Sequence, residues 1–295
     1  MLDDLDYSPL AAPVDPAAAL AYARANGDRP ALDLACCSFL SALIAAVFSG
    51  FLSFPLSMYL ADTYPDGGVG IRLLGLLPLA IGLGLVVPVV VLSRKSGRQE
   101  RINRYRIMQF AVRNGMGYRM KVKDPEHPSG VFDIGTNRCA VDVVSIEGPR
   151  PMEIGQYGYT AGYRDGEPFR LAYATTPLDA DLDLPHLLLR SRAKRMGTGL
   201  KSGKVPSGNP DLRGPGTEAF SVSGPLGRAQ EIQALLDRSL FSPDLLARFA
   251  EHPVHIELVE NRLYFFSPDP LSTTDPDTWR WLLPLLTDTA ERLEL

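Results

Sequence analysis

The stretch "GTGLKSGKV", residues 197–205, has the glycine and lysine content of a phosphate-binding loop. Such a loop cradles phosphates with backbone N–H groups. It needs glycine five positions before the Gly-Lys pair and a Ser or Thr after the lysine to hold Mg²⁺. Here position 198 is Thr and Val205 follows Lys204, so the pattern does not match nucleotide binding. His252 and His255, with Glu251 and Glu257 nearby, form an H-x-x-H pair that could offer two imidazoles to zinc. Pro253 interrupts that pair, and residues 254–259 read as a strand on which His255 and Glu257 face solvent together. His127 and His186 each adjoin a proline, and neither has an obvious acidic or nucleophilic partner in sequence.

Cys139 follows Arg138, a cation that would lower a thiol pKa. It also opens an apolar strand, where a structural cysteine is expected. The other two cysteines, Cys36 and Cys37, are adjacent and form no C-x-x-C pair. There is no G-x-S-x-G elbow, no S-x-x-K with its partner motifs and no H-E-x-x-H. No catalytic, cofactor-binding or metal-ligating set is therefore expected, and no cofactor. A chain pI of about 5.6 and sparse Arg/aromatic interleaving argue against nucleic acid.

The elements that must carry any site are unevenly distributed. The 295 residues average to an ordinary composition, with 22% charged residues and a net charge of −4. Apolar residues nevertheless concentrate early. Leu34 to Ala61 is free of charge, and so is Leu73 to Ser93. At 1.5 Å per residue the second run makes a helix of roughly 31 Å, about the thickness of a bilayer core. The expectation is a transmembrane hairpin, with spans at about 34–60 and 73–93 and a short outside loop. Arg94, Lys95, Arg98, Arg101 and Arg104 follow the second span, whereas the loop between the spans has no basic residue before Arg72. Basic residues stay cytoplasmic, which puts both termini inside and the chain in the cell membrane. Small residues recur at Ser38, Ala42, Ala46 and Gly50, a stripe that would pack the spans on each other or make a homodimer. Neither span holds an ionisable residue, which disfavours transport.

Around the spans, residues 1–33 read as a partly disordered cytoplasmic tail with one short helix capped by Asp15 and Pro16. Residues 94–117 read as a basic linker helix stopped at Gly115, with a break near Gly97. From 118 to 295 the pattern is a cytoplasmic α+β domain. "RCAVDVVSIEG" is rich in β-branched residues, and Asp165-Gly166 signals a hairpin between "MEIGQYGYTAGY" and "PFRLAYATT". A second hairpin turns at Asn261; "RAQEIQALLDRSL" and "SPDLLARFAEH" read as helices before it and "DPDTWRWLL" as the start of one after it. Pro284 should kink the last helix or mark its true start. The tyrosines at 157, 159, 163 and 173 read as sheet faces. The loop 193–217 is long, with six Gly and five basic residues against one acid. Its Lys194, Arg195, Lys201 and Lys204 could meet anionic lipid headgroups.

With the motifs "VFDIG", "PMEIGQYGYTAG", "LPHLLLRSR" and "LVENRLYFFSPDP", the chain resembles a group of uncharacterised actinobacterial two-span integral membrane proteins. The resemblance implies two spans followed by a cytoplasmic α+β domain, and it implies no activity. The expected role is a membrane-anchored interaction or scaffold protein with an unidentified protein partner. The alternatives are a membrane-tethered hydrolase whose site assembles only in the fold, or an accessory subunit of a transport or envelope complex.

Overall fold

The computed structural model describes residues 4–27, 32–64, 74, 76–161, 168–179, 181–195, 206 and 208–295. Side chains at 32–43, 45–46, 61, 79 and 82–94 lie outside the description. The chain divides into two compact units. One comprises Met1–Pro13 with Arg106–Leu295, the other Val14–Tyr105.

The second unit is helical. Helix α2 (Pro16–Ala25) has Asp15 as its N-cap, with the carboxylate accepting from the Ala17 N–H at 2.9 Å and proline in the first turn, as the sequence implies. Helix α3 (Leu32–Thr63) runs 32 residues through Pro55. Helix α4 (Leu77–Arg113) runs 37 residues, passes Gly97 without the expected break and crosses the unit boundary. Among the described residues, no helix is long and apolar enough to cross a membrane. The two expected spans find no support there.

The first unit is α+β, with an eight-stranded antiparallel sheet in the order β1-β2-β3-β4-β8-β7-β5-β6. The strands are β1 (Gly117–Lys123), β2 (Thr136–Ile146), β3 (Met152–Thr160), β4 (Pro168–Pro177), β5 (Leu187–Ser191), β6 (Phe220–Ser223), β7 (His255–Val259) and β8 (Arg262–Ser267). Register follows the side-chain alternation. Gly155 lies opposite Tyr173, and Tyr264 opposite Glu257. Glu260 and Asn261, both at positive φ (47° and 52°), close the β7–β8 hairpin in the mirror-image turn that matches strand twist.

One sheet face carries Ile154, Ala174, Leu189, Ile256, Leu258, Leu263 and Phe265. Helices cover it: the end of α4 through Phe110 and, after the single turn α5 (Gly216–Ala219), α6 (Ala229–Arg238) through Ile232 and Leu236, α7 (Pro243–Glu251) through Leu245 and Phe249, and α8 (Pro276–Leu293) through Trp279 and Leu286. Pro284 does not start α8. The helix runs through it, and the carbonyl that loses its partner belongs to Arg280, an exposed residue with access to water. Helix α4 ends as its glycine implies. Gly115 takes φ +68°, and the Met116 N–H reaches the Ala111 carbonyl at 2.8 Å.

The N-terminal segment belongs to this unit. Leu10, in helix α1 (Ser8–Ala11), joins the core, and Tyr7 stacks on Phe110 at 5.7 Å. Asn114 holds the backbone of Asp6 from both sides, accepting at 2.7 Å and donating at 3.1 Å. The Arg106 guanidinium donates to the Ala12 carbonyl at 3.0 Å.

Candidate functional site

The opposite sheet face is aromatic and polar, and a segment between β1 and β2, residues 124–135, straps across it. Pro125 and Pro128 stiffen the strap. Ser129 caps a single 3₁₀ turn, Gly130–Asp133, by accepting from the Val131 N–H at 3.2 Å. That turn drives Phe132 into the face, among Tyr157 (4.6 Å), Tyr173 (5.1 Å) and Tyr264 (6.1 Å), with His127 stacked on it at 4.2 Å. The strap returns to β2 through Gly135 at φ +72°, where a Cβ would stand 2.5 Å from the Thr160 carbonyl oxygen. Gly155 serves the same face, since a Cβ there would press the Tyr173 ring at 3.0 Å.

Two polar ties hold the strap, each ending on a carboxylate from a strand. The first is Ser129, whose hydroxyl donates to Glu257 Oε2 at 2.5 Å. Glu257 is 0% exposed, and its Oε1 lies 2.8 Å from His186 Nε2. The second is His127. Its Nε2 sits 3.2 Å from Glu153 Oε1 and its Nδ1 3.3 Å from the Tyr264 hydroxyl. Tyr173 also donates to Glu153 Oε1, at 2.6 Å, and Arg119 to Oε2 at 2.7 Å. The partners fix the neutral tautomer of His127. Nε2–H faces the carboxylate, so Nδ1 accepts from Tyr264.

The electrostatics say what these groups can do. Burial pushes the Glu153 carboxyl up, but hydrogen bonds from His127 and Tyr173 and the charge of Arg119 outweigh it, leaving a pKa of about 2. Burial pushes Tyr264 up to about 12, and burial with the Glu153 charge pushes Tyr173 higher still. Both phenols are therefore fixed donors and not nucleophiles. Ser129 gives its proton to a carboxylate that separates it from His186. Nucleophilic catalysis needs the imidazole next to the hydroxyl. The order here is inverted, so this Ser-Glu-His set ties structure together and does not activate the serine. Beside His127 opens a cavity of about 440 Å³, lined by Asp124, Glu126, Asp133, Arg138 and Glu260. Arg138 spans Asp124 (3.3 Å) and Asp133 (3.6 Å) across it. No metal-binding cluster occurs among the described residues.

One reading of the sequence is corrected here. His255 and Glu257 do not face solvent; they are 2% and 0% exposed. β7 is an interior strand between β8 and β5, and both of its faces are covered. The sequence treated it as half-buried. His127 and His186, which looked isolated, find Glu153 and Glu257 across the sheet. The signal that could have found them was an acidic residue amid apolar neighbours in "MEIG" and in "HIELV". Tyr157, Tyr159 and Tyr173 lie on this face as expected, and Tyr163 is outside the described residues.

The basic residues singled out from sequence sit elsewhere. Lys95 and Arg98 are exposed on α4, and Arg101 and Arg104 are half-buried there. Arg104 pairs with Glu100 at 2.7 Å. The side chain of Arg94 is outside the description. In the loop after β5, Lys194 pairs with Asp269 and Arg195 is exposed, whereas Lys201 and Lys204 are outside the described residues. Comparison with family models, with curated proteins and with solved structures yields no match. Function must be read from the chain's own chemistry.

Proposed function

We propose that this chain is a membrane-anchored interaction protein. In this reading α3 and α4 enter the bilayer as a hairpin, and the α+β unit is held at the cytoplasmic face to bind a protein or lipid partner. One observation carries the reading. Apart from Val112, Leu226 and Leu295, every large exposed apolar side chain among the described residues falls between Ile44 and Ile81. Phe48, Phe51, Phe54 and Tyr59 are 68%, 81%, 70% and 66% exposed. Each would gain ~1.5–3 kcal/mol on transfer out of water, so a surface this apolar calls for a covering. The charge-free runs Leu34–Ala61 and Leu73–Ser93 extend it in sequence to the side chains outside the description.

The hairpin topology has a separate support. Residues Met1–Pro13 and Arg106–Leu295 fold into one unit, so the segment between them must begin and end on one side of any membrane. The basic residues after Ser93 favour the cytoplasm for that side. The interaction role rests on the strap face, where the hydroxyl, imidazole and phenol groups serve as ties and no nucleophile–base pair forms.

Two measurements test this. Membranes carrying the full chain are extracted with alkaline carbonate, and a Tyr64→Cys variant is probed with an impermeant maleimide from either side. The anchor predicts retention in the pellet and labelling of position 64 from outside only. Release by carbonate would refute the anchor. Binding is tested with anionic liposomes and with partners recovered after cross-linking in cells. A unit that engages neither would refute the interaction role.

A further inference from the structure

On the strap side of the sheet, the β5–β7 pairing ends at Leu189↔Ile256; Arg190 and His255 are the next residues on the two strands, and the Arg190 charge reaches the His255 ring. His255 Nδ1 accepts the Ser191 backbone N–H at 3.1 Å. The neutral ring therefore carries its proton on Nε2. That atom is buried and has no hydrogen-bond partner in the structure. Arg190 is half-buried, and among the described residues no carboxylate lies within ion-pair distance of it. Its Nη1 donates to Ser223 Oγ at 2.9 Å, and the exposed Asn209 stands 3.5 Å beyond that hydroxyl. Burial lowers the Arg190 pKa, the mark of a cation whose lost hydration is not made good by a counter-charge. Glu257, the nearest acid on this face, is already held by Ser129 and His186. Lys194, whose charge also reaches His255, is engaged by Asp269.

Two adjacent donors, one cationic and one an orphaned buried N–H, thus lie at the end of the sheet where the loop 192–213 departs and returns. The loop's return is pinned, with the Gly224 N–H on the Gly208 carbonyl at 2.8 Å and the Arg213 N–H on Gln233 at 2.8 Å. Leaving the His255 N–H unmade is costly, and an anion with several acceptor oxygens could satisfy it while pairing with the Arg190 cation.

We infer that Arg190 and His255 form an anion site that takes a phosphate group, either free or on a lipid headgroup. Arg190 supplies the charge and the planar fork, Ser223 fixes the fork, and His255 gives the neutral N–H. The site does not depend on the hairpin lying in a membrane.

The test follows the His255 ring resonances by NMR on the full chain in detergent. Inorganic phosphate is titrated against a chloride control. A saturable shift of His255, absent for His252, is expected. Arg190→Gln should weaken it about tenfold or more, and Arg190→Lys, which keeps the charge but loses the fork, by less. Ser223→Ala should weaken it without touching either donor. Nanodiscs of phosphatidylcholine with and without phosphatidic acid separate the sources. A shift that needs phosphatidic acid identifies the headgroup, and one produced only by inorganic phosphate identifies the free ion. Both support the site. No saturable shift would mean that Nε2–H is satisfied by a trapped water. An unchanged shift in folded Arg190→Gln would mean an adventitious ion only. Either result overturns the inference.

Discussion

Removal of the Ser129 hydroxyl is the sharpest probe of the strap. Ser129→Ala deletes two interactions and leaves the rest of the turn in place. The first is the donation to Glu257 Oε2 at 2.5 Å. With Glu257 0% exposed, water cannot replace it, and a buried hydrogen bond to a charge is worth ~1.5–3 kcal/mol. The second is acceptance from the Val131 N–H, a cap worth ~0.5–1 kcal/mol. Together they predict a loss of about 2–4 kcal/mol. In a unit of this size that lowers Tm by about 5–12 °C. The assay is unfolding of the full chain in detergent, followed by fluorescence of Trp279, which is buried beside Phe110. Ser129→Thr keeps the hydroxyl and should recover most of the loss. A double-mutant cycle with Glu257→Gln should show a coupling above ~1 kcal/mol. A Ser129→Ala variant within ~0.5 kcal/mol of wild type, with no coupling to Glu257, would refute the claim that this pair holds the strap.

Four other perturbations follow from the same structure. Burial, with Arg190 and Lys194, holds His255 down from 6.5 to about 4, so the folded state resists its protonation and stability should fall as pH drops from 6.5 towards 4. The loss is on the order of 3 kcal/mol and should vanish in His255→Gln, measured by denaturant midpoints across pH. Glu153, with its pKa lowered to about 2, contributes stability that is full above pH 4.5 and lost as pH falls towards 2, a second step that Glu153→Gln should remove. Gly135→Ala combines a left-handed φ with a Cβ 2.5 Å from the Thr160 carbonyl oxygen and should cost ~2–4 kcal/mol by thermal unfolding, more than alanine at the open Gly148. Tyr7→Ala strips a ring stacked on Phe110 and lying under the Arg280 guanidinium, and should cost ~1–3 kcal/mol while speeding amide exchange at the C-terminal turn of α4.

Local chemistry made much of the α+β unit legible in advance. Asp15 with Pro16 and Gly115 are short-range signals, and each caps the helix end that its spacing implied; the last helix starts within "DPDTWRWLL", as expected. The β3–β4 turn at Asp165-Gly166 lies outside the described residues, yet Thr160 pairs with Pro168 in the register of a hairpin. What sequence could not supply was which strands lie inside the sheet. β7 alternates like a half-buried strand, and only the order β8-β7-β5 with the strap above it buries His255 and Glu257. The two histidine ties were hidden for the same reason. His186 and Glu257 are 71 residues apart in sequence, and no local pattern relates them. Pro284 misled in the opposite direction. A local rule allowed the helix to start there, but it starts at Pro276, and Leu282, Leu283, Leu285 and Leu286, all buried, hold it through the proline.

The first dozen residues bear most directly on topology. They read as a tail, but Leu10 is 1% exposed within the same core as Trp279, and Asp6 is bracketed by Arg113 and Asn114. An odd number of membrane crossings between Pro13 and Arg106 would put those partners on opposite faces of a bilayer. Leu10 and Tyr7 would then leave Phe110 uncovered, at a cost of several kcal/mol by the ~1.5–3 kcal/mol each such side chain gains on burial. Under the proposed anchor, the N-terminal clasp and the basic residues after Ser93 would therefore favour the same arrangement by unrelated physics, one through core packing and the other through membrane insertion. A chain with Arg94, Lys95 and Arg98 replaced by neutral residues should still place its two ends together if the clasp forms first. If the ends separate, the charges alone set the topology and the clasp only follows.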